Sequence, residues 1–338
     1  MDLLPTAEQD EIVATVRSQL RSDFDLHTLA AADGADVVVP ADLWRRCAEL
    51  GWFGLGLEES LGGVGFGLAE ETLLVAELGA HATPGPFLAT VLGARVAALA
   101  GRSDVAAAVL AGEAPVALAE VESSGPDERH LRITDLGGSR YVLVVDDERV
   151  ALVPSESLDA TAAESIDLLV PLATAPLPDG TAAVAELTGD DAAAVRRRGT
   201  VLVAAALAGI AVGTAEQSVA YALDREQFGV PIGSFQAVKH RCADMAVRAE
   251  AATSQVRLAA LALADGRPDA AFQVEAARVV ATSAAIENAQ TNVFNHGGIG
   301  FTWEHTAHRY VTRAQVLSRT LGDRRDHLAL LLDEPPPA

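Results

Sequence analysis

The chain has 338 residues and a net charge of −22; half of its residues are hydrophobic but only 4% aromatic, so alanine, valine and leucine must build the core. An acidic balance of this size disfavours nucleic acid and anionic membranes as partners. Two widely separated cysteines, Cys47 and Cys242, exclude a disulfide framework or a zinc site as organising principle and point to a reducing, cytoplasmic setting. No uninterrupted apolar run reaches the ~18 residues of a membrane-spanning helix, and the acidic opening MDLLPTAEQDEIV lacks the pattern of a secretory leader.

In chain order, residues 6–32 read as helix, with Thr6 as N-cap and Gln9 as its capping-box partner. Residues 40–52 read as a second helix, with Pro40 at its start and Gly51 at its end. Residues 61–101 read as a glycine turn followed by two helices broken at Pro84–Pro86. An N-terminal helical domain is therefore expected over 1–112. From 113 the texture changes to short apolar segments, PVALAEV, HLRITDL, RYVLVVDDERVALVP and TAAVAEL, separated by Gly, Asp, Ser and Pro. A small, shortened β-domain is expected over 113–195.

Helical patterning returns over 196–338. Residues 201–224 are apolar on nearly every side and read as a buried central helix. In the next helix, Phe235, Val238, Cys242, Met245, Ala249, Ala252 and Val256 step by three and four. The segments 201–224, 234–264, 268–295 and 304–333 have the lengths of a C-terminal four-helix bundle, and Pro335–Pro337 read as a frayed tail. The whole is a mainly α protein with a small central β-domain. Charge follows the same division. Residues 1–195 carry 10 basic and 33 acidic side chains, net −23, whereas 196–338 carry 15 and 14, net +1. A phosphate-bearing ligand is easier to hold in the second part.

Two motifs lie in the bundle. One is Arg225-Glu226-Gln227-Phe228-Gly229-Val230-Pro231-Ile232 followed by Phe235-Gln236; the other is His296-Gly297-Gly298-Ile299-Gly300-Phe301-Thr302-Trp303-Glu304-His305. Together with LWRRCAELGWFGLGLEESLGGVGFG over 43–67, they resemble the acyl-CoA dehydrogenase family. That resemblance implies the corresponding fold and the FAD-dependent oxidation of an acyl-CoA thioester to its α,β-enoyl product. A carboxylate removes the α-proton while hydride passes from the β-carbon to the flavin. The chemistry needs a carboxylate base of raised pKa, a cradle for the isoalloxazine ring, and an anchor for the adenosine–pyrophosphate end, supplied in this family by a neighbouring subunit's bundle.

The resemblance assigns the anchor to Arg225, whose guanidinium can fork onto phosphate, Phe228 for stacking, Gln236, and Gly297 and Gly298, where backbone can approach phosphate closely. Read from the residues alone, the first motif is a helix corner and the second a tight turn. Phe294 stands where the family usually has Gln. The family's Thr-Glu-Pro-x-x-Gly-Ser stretch is reduced to Ala119-Glu120-Val121-Glu122-Ser123-Ser124-Gly125-Pro126, and no tryptophan lies between Trp52 and Trp303 to supply the second cradle segment. The base is also expected to be absent. Leu321, before Gly322, stands at one family position for the Glu, and Gly199-Thr200 at the other. Asp323 is the best remaining carboxylate candidate, while Glu250, with Arg248 and Arg257 nearby, and Glu304, at a helix start, read as solvated.

Such a chain resembles the degenerate subunit of actinobacterial heteromeric (α2β2) steroid-CoA dehydrogenases; 24 arginines against the single Lys239 suit a GC-rich genome. The resemblance implies a catalytically complete partner subunit, FAD shared with it, an acyl-CoA substrate with room for a steroid side chain, and an electron-transfer protein as acceptor. Two alternatives stay open: a self-sufficient homotetrameric dehydrogenase with an unrecognised base, and a non-enzymatic helical scaffold.

Overall fold

The computed structural model describes residues 3–125, 128–177 and 180–335, the side chains of 123–125 and 128 excepted. The helices in chain order are α1 (Ala7–Asp23), α2 (Leu26–Leu29), α3 (Ala41–Glu49), α4 (Leu68–Ala80), α5 (Phe87–Leu99), α6 (Ser103–Leu110), α7 (Gly189–Asp224), α8 (Gln236–Ala264), α9 (Ala270–His296), α10 (Ala307–Leu317) and α11 (Arg324–Asp333). The strands are β1 (Val116–Gly125), β2 (Glu128–Thr134), β3 (Tyr141–Val145), β4 (Arg149–Pro154), β5 (Thr161–Ala163), β6 (Leu172–Pro176), β7 (Ala185–Thr188), β8 (Glu226–Gln227) and β9 (Val230–Pro231). This is the mainly helical architecture with a central sheet that the sequence predicts. By internal contacts the chain forms two units, one of residues 1–27, 72–83 and 200–338, the other of 28–71 and 84–199.

The second unit holds a seven-stranded sheet in the order β5-β6-β2-β1-β3-β4-β7, antiparallel except for the β1–β3 pair. Ala117, Ala119, Leu131, Ile133, Val142, Val144 and Val153 alternate along adjacent strands and bury one core. The sequence reading missed β5 and β6. β5 has only three residues, all exposed, and β6 is the Pro-bounded LATAP, so neither shows a strong apolar alternation. Glu71 is buried beside Arg198, which donates from Nε to Oε2 at 2.6 Å, and Arg95 lies 3.9 Å from its other oxygen. Both guanidiniums also donate to the Gly56 carbonyl oxygen. Burial pushes the Arg95 guanidinium down, with the Arg198 charge adding to it.

In the first unit, α1 begins with the expected capping box: Gln9 N–H donates to Thr6 Oγ1 at 3.3 Å, and Thr6 N–H donates to Gln9 Oε1 at 3.0 Å. The helix stops at Asp23 rather than running to 32. Ser22 donates to the Asp23 carboxylate and His27 N–H donates to Asp25 Oδ1, local bonds that compete with the helical ladder. Helix α7 starts at Gly189, twelve residues before the expected 201; Asp190 and Asp191 lie in its first turn, where acidic side chains suit the helix dipole, and Arg196 and Arg198 bond the Asp146 carbonyl and Glu71. Its central window is long and apolar enough to pass for a membrane span, but 83% of that window is buried inside the structure, as for a core helix. Added Cβ atoms at Gly79, Gly209 and Gly213 would collide with the carbonyls of Ala206, Ala76 and Ala80, so α4 and α7 pack backbone against backbone.

In α8 the apolar stripe is buried at Met245, Ala249, Ala252 and Val256, while Phe235 is exposed. The expected single helix over 304–333 is two, because Leu321 and Gly322 turn left-handed (φ 57° and 97°) and Asp323 starts α11. Pro336 and Pro337 of the expected tail lie outside the described residues.

Candidate functional site

One end of the first unit collects the two motifs. Helix α7 ends at Asp224; Arg225 N–H donates to the Tyr221 carbonyl at 2.9 Å and its own carbonyl accepts from Ile232 N–H at 2.8 Å. Strands β8 and β9 form a two-residue hairpin in which Phe228 and Gly229 both have positive φ, 56° and 79°. A phenylalanine in this conformation is strained. Its ring is 92% exposed and meets Phe235 edge-on at 6.1 Å. Gln236 opens α8 immediately after Phe235 and is exposed.

The second motif starts where α9 ends. His296 is buried, stacks on Tyr221 at 4.3 Å and meets His305 at 4.3 Å. The Tyr221–His296 stack places the start of the Gly297 turn beside the last turn of α7, the turn that Arg225 follows. Gly297 adopts φ 63° and ψ −141°, backbone that side chains oppose. A Cβ built at Gly297 or Gly298 meets nothing within 4 Å, and both glycines are exposed. Across from them the guanidinium of Arg241, on α8, lies 5.1 Å from the centre of the Phe294 ring. Sequence reasoning missed this pair: Arg241 sits beside the buried stripe, and periodicity does not say which exposed residue meets α9.

Burial pushes the His296 imidazole down against its bond to the Asn292 carbonyl. His305 is pushed down by burial and then by His296, His27 and His308. Its Nδ1 accepts from Ala307 N–H at 3.1 Å, which requires that nitrogen to be unprotonated.

The carboxylate positions read differently. Leu321 is half-buried, and its carbonyl faces His327 Nε2 at 2.9 Å. Gly199 and Thr200 are buried within α7. Asp323, the surviving candidate, is the N-cap of α11, accepting from Arg325 N–H at 2.6 Å and Asp326 N–H at 3.0 Å. The Asp326 and Arg325 N–H bonds hold its carboxyl below the usual value, the reverse of what a general base needs. Glu250 is exposed and accepts from Ser254 at 3.1 Å, while Arg248 pairs with Glu287 at 2.8 Å. Glu304 is exposed in the turn before α10, whose N-cap is Thr306.

In the stretch that the resemblance sets against the flavin cradle, β1 runs unbroken against β2 from Leu118 to Ser123, pairing Glu120 with Arg132 and Glu122 with His130. Arg132 donates to Glu120 at 2.6 Å and Glu122 at 2.7 Å. The side chains of Ser124 and Gly125, and Pro126 altogether, lie outside the described residues. Trp303 is 71% exposed and meets His308 edge-on at 4.8 Å.

Tested against an adenine dinucleotide, the two ends of the ligand fare differently. The open glycines and the exposed Phe228 ring leave room for its adenosine–pyrophosphate end, and the exposed Arg225 has the charge its phosphates need. The Glu120–Arg132–Glu122 ladder does not fit an isoalloxazine, because carboxylates and guanidinium already occupy one another.

Comparison with known proteins agrees with the architecture. Residues 6–114 match the model of the acyl-CoA dehydrogenase N-terminal domain, and residues 197–330 that of the C-terminal domain. The chain therefore belongs to the acyl-CoA dehydrogenase family, whose members are oxidoreductases. It is similar to acyl-CoA dehydrogenase IpdE2 of Mycobacterium tuberculosis, at 30% identity over 98% of each chain. Acyl-CoA dehydrogenase FadE34 of the same organism is 35% identical over 83% of this chain, which spans 41% of FadE34's length. Among solved structures, the Tcur3481–Tcur3483 steroid acyl-CoA dehydrogenase G363A variant superposes with a TM-score of 0.83 at 25% identity, over 96% of this chain and 97% of that one. A glutaryl-CoA dehydrogenase from Mycobacterium smegmatis in complex with FADH2 shares the fold, with a TM-score of 0.80 at 18% identity, over 97% of this chain and 94% of that one.

Proposed function

We propose that this chain is the non-catalytic subunit of a heteromeric FAD-dependent acyl-CoA dehydrogenase. The observation that carries the reading is the Glu120–Arg132–Glu122 ladder, which fills the stretch aligned with the flavin cradle while the Arg225–Gly298 corner stays open. Leucine at position 321 and the capping role of Asp323 support it from the side of the missing base. Arg225, Phe228, Gln236, Gly297 and Gly298 clamp the adenosine–pyrophosphate end of a dinucleotide whose ring lies in a catalytically complete partner. A flavin bound in that assembly would supply hydride acceptance from the acyl-CoA thioester. The part of this chain is to bind and orient: charge and a two-point fork from Arg225, a stacking face from Phe228, close backbone approach at the glycines. Likeness to a steroid acyl-CoA dehydrogenase named for two chains favours a steroid side-chain CoA as substrate, a cytoplasmic α2β2 assembly, and reoxidation by an electron-transfer protein.

The test is co-expression with a co-encoded acyl-CoA dehydrogenase subunit, counting FAD per chain. The lone chain is expected to be colourless or faintly yellow; stoichiometric flavin in it would overturn the reading. In the complex, Arg225→Ala removes a charge-assisted contact of ~1.5–3 kcal/mol, so FAD retention is expected to weaken roughly 10- to 150-fold. Arg225→Lys recovers part of it, and assembly survives. Unchanged FAD affinity with a lowered melting temperature of the lone chain would assign Arg225 to the helix corner instead.

A further inference from the structure

Arg241 lies on the exposed side of α8, and among the described residues no carboxylate pairs with it, although the chain carries a net charge of −22. Its guanidinium carbon stands 5.1 Å from the centre of the Phe294 ring. A ring face offers a cation no hydrogen-bond acceptor in the ordinary sense, so this contact leaves the N–H donors of Arg241 available to a ligand. Phe294 is itself 65% exposed, so its ring gives up little burial by serving as a platform rather than a core residue.

The ring lies one turn before the open glycines, and Gly297 N–H returns to the Phe294 carbonyl. Asn295, the next residue along, donates toward Cys242 Sγ at 3.9 Å and Met245 Sδ at 3.7 Å, which holds this turn of α9 against the turn of α8 that carries Arg241. A restrained cation, an exposed aromatic face and a turn open to close backbone approach thus share one corner. Those are the elements that recognise a nucleotide phosphate: charge for the anion, a fork for its oxygens, and glycine for proximity.

We propose that Arg241, oriented by Phe294, is a second cationic contact for the diphosphate of an adenine dinucleotide bound at the Arg225–Gly298 corner. The proposal rests on the function proposed above and adds to it a residue pair outside both sequence motifs' assigned contacts. Phe294 then acts as a positioning residue: it orders a long side chain before the ligand arrives, which lowers the cost of binding.

The experiment uses the assembled complex for FAD retention and ADP as the probe for direct binding by calorimetry, at low and moderate salt. Arg241→Ala is expected to weaken both by about tenfold, with a shallower salt dependence of ADP binding. Arg241→Lys is expected to restore part of the affinity. Phe294→Ala, which keeps the charge but frees its orientation, should cost about threefold, and Phe294→Tyr should cost nothing. Suppose Arg225→Ala releases FAD while Arg241→Ala stays within twofold: the Arg241 contact is then wrong and the proposed function stands. If neither substitution changes FAD or ADP affinity, the reading beneath it is wrong as well. Equal losses for Arg241→Ala and Arg241→Lys with an unchanged salt slope would also overturn the proposal, since a phosphate contact depends on charge.

Discussion

Arg278, fully buried in α9, donates to the Thr320 carbonyl oxygen at 2.9 Å. The same nitrogen reaches the carbonyls of Leu317 at 2.9 Å and Gly322 at 3.0 Å, and the other terminal nitrogen reaches Thr282 at 2.7 Å. One guanidinium therefore closes the end of α10 and fixes the Leu321–Gly322 turn. Replacing it with methionine strands three carbonyls and should destabilise the protein by about 3 kcal/mol or more in urea unfolding. Lysine should recover little, because an ammonium cannot serve these oxygens from the same plane.

The glycines of the bundle separate into two kinds. Gly209→Ala drives a methyl group into the Ala76 carbonyl and forces α4 from α7, at a cost of about 1–3 kcal/mol or more. Gly298→Ala meets open space and should leave stability within about 0.5 kcal/mol, yet reduce FAD retention by the complex. Urea midpoints and flavin content on the same two variants separate packing from binding.

The histidine stack sets a pH dependence. His296 and His305 bind protons less readily in the folded chain than in the unfolded one, where the value is about 6.5. Below that pH the unfolded state takes up more protons, so stability falls as pH falls and is fully present above it. Protonating His305 at Nδ1 also breaks its bond from Ala307 N–H. Unfolding free energies between pH 8 and 5 should show this slope, and His305→Asn should flatten it. The carboxyls of Asp269, held low by Arg267, and Asp323, held low by the Asp326 N–H, act in a separate window below about pH 4.

Under the proposed function, Leu321→Glu adds a carboxylate where the resemblance puts the base, without a flavin cradle in the same chain. The lone variant should form no enoyl-CoA. Activity from this single substitution would mean that the β1–β2 ladder opens to admit the ring, and that the proposed division of labour is wrong.

Much of the architecture was legible in the chain. Thr6 and Gln9 announced their capping box, Pro40 and Gly51 bracketed α3, and the three- and four-residue spacing from Met245 to Val256 marked the buried side of α8. These are local signals, set by backbone satisfaction and helical period. The split between α10 and α11 was harder to see. It depends on Leu321 accepting a left-handed conformation in which Arg278 and His327 secure the carbonyls around it, Arg278 across 42 and 44 residues of sequence and His327 across 6.

The candidate site divides along the same line. The residue types at 225, 228, 236, 297 and 298, and the leucine at 321, are properties of the sequence, and the proposed division of labour starts from them. Whether Glu120 is available or locked to Arg132, and which cation meets the Phe294 ring, depend on partners distant in the chain, and whether Asp323 is a base or a cap depends on where α11 begins. Tertiary structure decided those points, because a charged side chain takes its role from the donors and acceptors packed against it, and sequence spacing determines only the neighbours within a few residues.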